Sequence, residues 1–196
     1  LRHLLDATEQ RIFVCQQQGV IIAVCLIAIE GGLTADLSQQ VVSGQRRPQG
    51  HLMAQTLAQL SANADVLTRL CARVVRIAVA PSQHSKCIGS QLIAHCERQL
   101  ASSCDWFGAS FGANASLLKF WQMAGFSLVK LGFMQDKATA EHAALVAKSL
   151  TDRSSLIKNL KTDFQSDFAL QLLDHFNQLD QQLVEQVLRD CAQHNA

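Results

Sequence analysis

Residues 81 to 90, PSQHSKCIGS, gather an imidazole, an ammonium, a thiol and a glycine between a β-branched run and a helix-periodic one. Val74, Val75, Ile77 and Val79 read as a buried strand closed by Pro81. Ile88, Leu92, Cys96 and Leu100 then recur every four residues as one face of a helix. The loop thus meets a helix N-terminus, whose free N–H groups and dipole favour an anion, and Gly89 admits a ligand close to backbone. Such chemistry suits a phosphate-bearing, nucleotide-like cofactor; an ordinary strand-to-helix connection has the same ingredients. Cys87, beside Lys86 and near His84, reads as a thiol lining that phosphate site. A covalent role for it finds no base with an orienting third group.

The elements that must position this loop follow from the rest of the chain. Arg11 to Cys15 and Val20 to Glu30 read as a hairpin turning at Gln18 and Gly19, after a helical start over Leu1 to Ala7. Thr34 caps a helix ending at Gly44, and helices near Met53 to Leu60 and Ala64 to Leu70 lead to the Val74 strand. Cys104 to Gly112 reads as a strand. Asn114 caps a helix that Gly125 ends, and two strands follow, FSLVKLGFM and His142 to Leu150. Beyond Thr151 the pattern is helical only.

The 196 residues, 48% hydrophobic and 17% charged, form one substantial domain or a domain with a helical appendage, and exclude disorder over most of the length. The longest apolar run, Val20 to Ile29, is about half of a membrane span. Seven cysteines without a CxxC pair fit a reducing cytoplasm, and His84 with Cys87 is only half of a zinc motif, so no metal is expected. Residues 1–150 hold 13 Lys and Arg against 9 Asp and Glu, residues 151–196 hold 4 against 7, and a net charge of +1 does not demand nucleic acid. A first residue of Leu suggests a fragment of something longer.

The strand, loop and helix, with a later helix ending in a Gly-Phe pair, resemble the GNAT acetyltransferases. Adding LRHLLDA, EGGLTADLSQQV, GQRRPQGHL, RIAVAP and SFGANASLLKFWQMAGF narrows this to a resemblance to the bacterial tRNA(Met) cytidine acetyltransferase family. The resemblance implies an α/β (α+β) fold: a mixed, mostly antiparallel sheet flanked by helices over residues 1–150, with a helical C-terminal segment over 151–196. It further implies acetyl-CoA as cofactor and the exocyclic amine of a tRNA cytidine, at the wobble position of elongator tRNA(Met), as acceptor. Rival readings are a small-molecule or protein amine acetyltransferase, and a silent RNA-binding domain. ATP belongs to another module of that family, and no GxxxxGK[ST] occurs here.

Carried over by that resemblance, the cofactor contacts are Ile77, Ala78 and Val79 of the strand; His84, Ser85, Lys86, Cys87, Ile88, Gly89 and Ser90 of the loop; and Ser116 and Met123 of the later helix. Several depart from the family pattern: Cys87 stands for the first loop glycine, Ala80 for a histidine, Ser116 for a glutamate and Met123 for an arginine. Such departures make weakened cofactor binding, or an inactive descendant, the alternative to an active acetyl-CoA site. Arg46 and Arg47 suit RNA phosphates, with Lys119 and Lys130 as accessories, or belong to a solvated loop. Glu30 and His51 are the candidate bases, with a helix-capping or loop carboxylate and a surface or hydrogen-bonded loop histidine as the structural alternatives. The chain has no Tyr, leaving Ser110 or Ser116 as hydroxyls. Trp106 and Trp121 read as core rather than base-stacking residues.

Overall fold

The computed structural model describes residues 9–151 and 155–192, with side chains through residue 189; the helix expected over Leu1 to Ala7 lies outside them. A hairpin comes first, β1 (Gln10–Gln17) and β2 (Val20–Gly31), turning at Gln18 and Gly19, both at positive φ. This tight turn fixes the antiparallel register, from Gln17 opposite Val20 to Gln10 opposite Ala28, with one bulge after Cys15. Ala23, Cys25 and Ile27 of β2 are buried while their neighbours are only partly covered, the alternation of a strand with one closed face.

Three helices follow: α1 (Ala35–Val42), α2 (Leu52–Leu60) and α3 (Asp65–Thr68). Thr34 caps α1, its hydroxyl accepting from the Leu37 N–H. Met53, Ala54, Leu57 and Ala58 are completely buried and form the inner face of α2. The helix expected to reach Leu70 stops at Thr68, because Arg69 is already extended and Leu70 pairs with Gly31 of β2. Strand pairing overrides the local helical pattern there.

That pairing begins β3 (Leu70–Val79), antiparallel to β2 and parallel to β4 (Trp106–Gly112). A parallel pair requires a crossover, and α4 (Ile88–Leu100) supplies it. Its face of Leu92, Ile93, Cys96 and Leu100 is buried, and the Cys96 thiol is hydrogen-bonded to Cys25 of β2. This contact, followed by burial, pushes the Cys25 thiol up. Cys104 and Asp105 precede β4 rather than joining it: the Asp105 carboxylate binds Arg69 and its N–H donates to the Leu70 carbonyl at 2.8 Å.

Packing divides the described residues into two compact bodies, residues 9–109 with 149–151, and residues 110–148 with 155–192. In the first, the strand order is β1-β2-β3-β4; in the second it is β4-β6-β5, with β5 (Ser127–Gln135) antiparallel to β6 (His142–Ser149). The six strands thus make a mixed, mostly antiparallel α/β fold.

Within the second body, Asn114 caps α5 (Ala115–Met123) by accepting from the Leu117 N–H at 2.9 Å. Trp121 of α5 packs among Phe111, Phe120 and Phe126. The tail folds into α6 (Leu156–Gln171) and α7 (Gln181–Ala192). Phe168 and Phe176 are buried against one another, and Gln186 donates to Gln122 at 2.6 Å. The helices α6 and α7 of the segment read from sequence as starting at Thr151 therefore share a body with α5 and β5, while Thr151 itself belongs to the first. Trp106 and Trp121, at 1% and 3% exposure, are both core. No helix among the described residues is long and apolar enough to cross a membrane.

Candidate functional site

β3 pairs with β4 only from Cys71 opposite Trp106 to Val74 opposite Ala109, whereas its pairing with β2 continues to Val79. Within the first body, therefore, the edge of β3 from Val75 to Val79 carries no strand among the described residues. The Ala80 N–H donates to the Ile22 carbonyl at 2.8 Å, which directs Ala80 and Ala78 toward β2. Alternation along the strand then turns the backbone groups of Ile77 and Val79 to the open edge. That edge presents N–H and C=O groups as a template for an extended ligand.

The edge runs directly into the loop. Pro81–Gln83 make a single 3-10 turn, and His84 folds back so that its Nε2 donates to the Val79 carbonyl at 2.9 Å. One of the open-edge acceptors is thus already taken by the protein. Lys86 also bonds within the loop, its Nζ donating to the Ser82 carbonyl at 3.1 Å and to Gln83 Oε1 at 3.0 Å. Ser85 and Cys87 both adopt the left-handed conformation, with φ of 60° and 59°. Cys87, the exposed N-cap of α4, offers no side-chain cap bond, and the first turn contains no acidic residue. Among the described residues, the first N–H groups of α4 therefore have no side-chain acceptor. Such a terminus fits a pyrophosphate, and Lys86 beside it adds positive charge. Ser116 and Met123 lie on α5 of the second body; the Ser116 hydroxyl donates to Asn114 Oδ1 at 2.8 Å, and Met123 is 80% exposed.

Glu30 occupies a different setting. It is fully buried, with Oε1 receiving the Arg73 guanidinium at 2.5 Å and Oε2 accepting the Met53 and Ala54 N–H groups at 2.7 and 3.1 Å. The carboxylate caps α2 from the strand beneath it and neutralises Arg73. Both oxygens are engaged and neither meets solvent, so this arrangement assigns Glu30 to structure rather than to proton transfer. Burial, and after it the field of Glu30, pushes the Cys71 thiol well up.

The next residue, Gly31, donates its N–H to His51 Nδ1 at 3.0 Å. Accepting that bond requires a lone pair on Nδ1, so the neutral ring carries its proton on Nε2. His51 thereby presents a donor, not a base, at Nε2. Gly31 has φ of +92°, and a Cβ there would stand 2.0 Å from the Arg69 carbonyl oxygen, so only glycine fits. Neither Arg73 nor Gly31 is among the site residues expected from the sequence. The legible signal was one acid and one base embedded in apolar strand runs, a pattern that calls for a buried ion pair.

His51 borders a cleft of about 440 Å³ in the first body, with Arg47 at its lip and Gln55, Thr56 and Gln59 along its wall. Gln55 holds the loop in place by donating to the Pro48 carbonyl at 2.6 Å. Arg46 and Arg47 are exposed, as are Lys119 and Lys130 in the second body. Among the described residues, no group of three His, Cys, Asp or Glu gathers as for a metal ion.

A sequence model described as GNAT acetyltransferase 2 matches residues 1–99 and 90–151. The chain is 32% identical over 191 residues, 96% of its length, to the tRNA(Met) cytidine acetyltransferase TmcA of Nitrosococcus halophilus, of which it covers 26%. It is 38% identical over 152 residues, 78% of its length, to the TmcA of Salmonella typhimurium, of which it covers 22%. The chain thus spans about a quarter of the length of these curated relatives. Among solved structures it is similar to FeeM, an N-acyl amino acid synthase from uncultured soil microbes, at TM-score 0.54 and 14% identity, over 77% of this chain and 73% of that one. It is also similar to the ribosomal-protein-S18-alanine N-acetyltransferase of Escherichia coli, at TM-score 0.50 and 14% identity, over 76% and 74%. At such identity the structural likeness concerns the fold alone.

Proposed function

Because this chain belongs to the GNAT acetyltransferase 2 family, we propose that it binds acetyl-CoA along the open edge of β3 and transfers the acetyl group to a tRNA cytidine. The acceptor is the exocyclic amine at the wobble position of elongator tRNA(Met), and the chain works as one part of a longer cytoplasmic enzyme. ATP use belongs to that longer protein, not to this chain. The observation that carries the reading is the continuity of the open β3 edge with the uncapped N-terminus of α4, in a chain whose curated relatives bear the TmcA name.

Acetyl-CoA supplies an activated thioester. Ile77 offers backbone groups for its extended arm, and the α4 N–H groups with Lys86 receive its phosphates. The Val79 N–H, turned away from β2, is the group we assign to the thioester carbonyl oxygen, where negative charge grows during attack. A cytosine amine is neutral and a poor nucleophile, so alignment with the thioester contributes more than a strong base would. This agrees with a site where Glu30 is buried in an ion pair and His51 faces outward as a donor.

Calorimetry of the chain with acetyl-CoA tests the cofactor half: heat at micromolar cofactor is expected. Its absence favours the silent RNA-binding reading, to which the non-glycine residue at Cys87 lends weight. For the RNA half, changing Arg46 and Arg47 together to Ala should weaken tRNA binding and reduce the salt slope by up to about 2. An unchanged slope overturns that assignment.

A further inference from the structure

We infer that the cleft between the arginine loop and α2 holds one unpaired nucleotide of the RNA, and that His51 Nε2–H is its fixed hydrogen-bond donor. This rests on the tRNA reading above and adds the residues that grip a single base. Its size, about 440 Å³, lies at the lower end of the roughly 300–1,000 Å³ common for small-molecule sites. It admits a nucleotide and excludes a duplex.

The lining supplies the groups that RNA recognition uses. Arg47 at the lip matches a phosphate, while Gln59 and Thr56 on the α2 wall offer amide and hydroxyl groups to a base edge or ribose. His51 differs from these surface side chains because its orientation is imposed from below. Nδ1 is held by the Gly31 N–H at 3.0 Å, and Gly31 is locked against the Arg69 carbonyl. One residue earlier, Glu30 anchors both Arg73 and the start of α2. Nε2, on the far side of the ring, has no protein partner among the described residues. A donor oriented by the Gly31 N–H and set in the lining of this cleft matches an acceptor oxygen such as a pyrimidine carbonyl.

The test compares variants of the whole 196-residue chain for binding of a tRNA(Met) anticodon stem-loop by fluorescence anisotropy. His51→Asn returns an acceptor near the place of Nδ1, so the Gly31 bond is kept while the Nε2 donor is lost. We expect affinity to fall about tenfold, and Gln59→Ala to cost two- to fivefold. In ¹⁵N spectra of the wild-type imidazole, Nε2 should be protonated and should shift when cytidine monophosphate is added. Wild-type affinity in both variants, with no imidazole shift, overturns the cleft assignment while leaving the tRNA reading intact. Failure of the wild-type chain to bind the stem-loop at low salt overturns both. Should His51→Asn misfold by circular dichroism, Gln59→Ala and the imidazole spectrum decide alone.

Discussion

Two helix N-termini of the same body end in opposite ways. At α2 the free first-turn amides meet Glu30, a buried carboxylate supplied by β2, which is itself paired with Arg73. At α4 they meet no side-chain acceptor among the described residues, and the N-cap residue is a cysteine in a left-handed conformation. The first terminus is satisfied from within, while the second leaves its dipole to whatever anion arrives. The contrast separates a structural joint from a receptive site without reference to any ligand, and it removes Glu30 from the pool of proton acceptors.

Breaking the closed terminus should have the largest effect. Glu30→Ala strands Arg73 and uncaps α2, at a cost of about 3–5 kcal/mol, measured as a lower urea midpoint. Glu30→Gln, which keeps an acceptor for the α2 amides, should lose less. A Glu30→Ala chain of wild-type stability but without activity would restore the carboxylate to catalysis.

Relaxing the open terminus should act in the other direction. The left-handed conformation costs a non-glycine residue roughly 1–2 kcal/mol, and glycine gives back about 0.5–1 kcal/mol in chain entropy. Cys87→Gly should therefore be up to about 1 kcal/mol more stable and bind acetyl-CoA more tightly in the same calorimetric assay. The wild-type thiol should also react with iodoacetamide more slowly under saturating acetyl-CoA. Equal rates with and without cofactor would detach the loop from the phosphate site.

The smallest effect belongs to Asp136, which does on the surface what Glu30 does inside. Its Oδ1 accepts the Ala138 and Thr139 N–H groups at 2.8 and 3.1 Å, and the Ala138 bond leads in holding the carboxyl below its ordinary value. A carboxyl lowered in the folded state adds stability above its unfolded pKa and loses it as pH falls through the folded value. Acidification should therefore loosen the Asp136 to Ala140 turn, seen as lower protection factors at the Ala138 and Thr139 amides once the slower intrinsic exchange at low pH is divided out, with little change in global stability.

Much of this contrast was legible in the chain. Strand periodicity in Val74 to Val79, the four-residue recurrence from Ile88 and the caps at Thr34 and Asn114 are local signals, and local signals survive folding. Where α3 stops was not legible, because Leu70 is claimed by a partner nearly forty positions away, Gly31. The same holds for Glu30 and His51: their types suggested proton transfer, but which atoms they offer is decided by Arg73, by the α2 amides and by one glycine N–H. The cofactor loop lies between these cases. Its place in the strand-to-helix turn was readable, whereas the grip of His84 on Val79 depends on a backbone direction that sequence does not state.

The buried thiol pair beneath α4 has a kinetic meaning. Cys25 and Cys96 touch each other with no exposed surface, whereas Cys87 at the start of the same helix is open to solvent. A reagent reaches the inner pair only when the helix lifts from the strands, so their labelling rate measures how often that happens. Cys87, reacting without such a wait, is the reference in the same tube. The protein thus carries its own stopwatch for the breathing of the element on which its cofactor would rest.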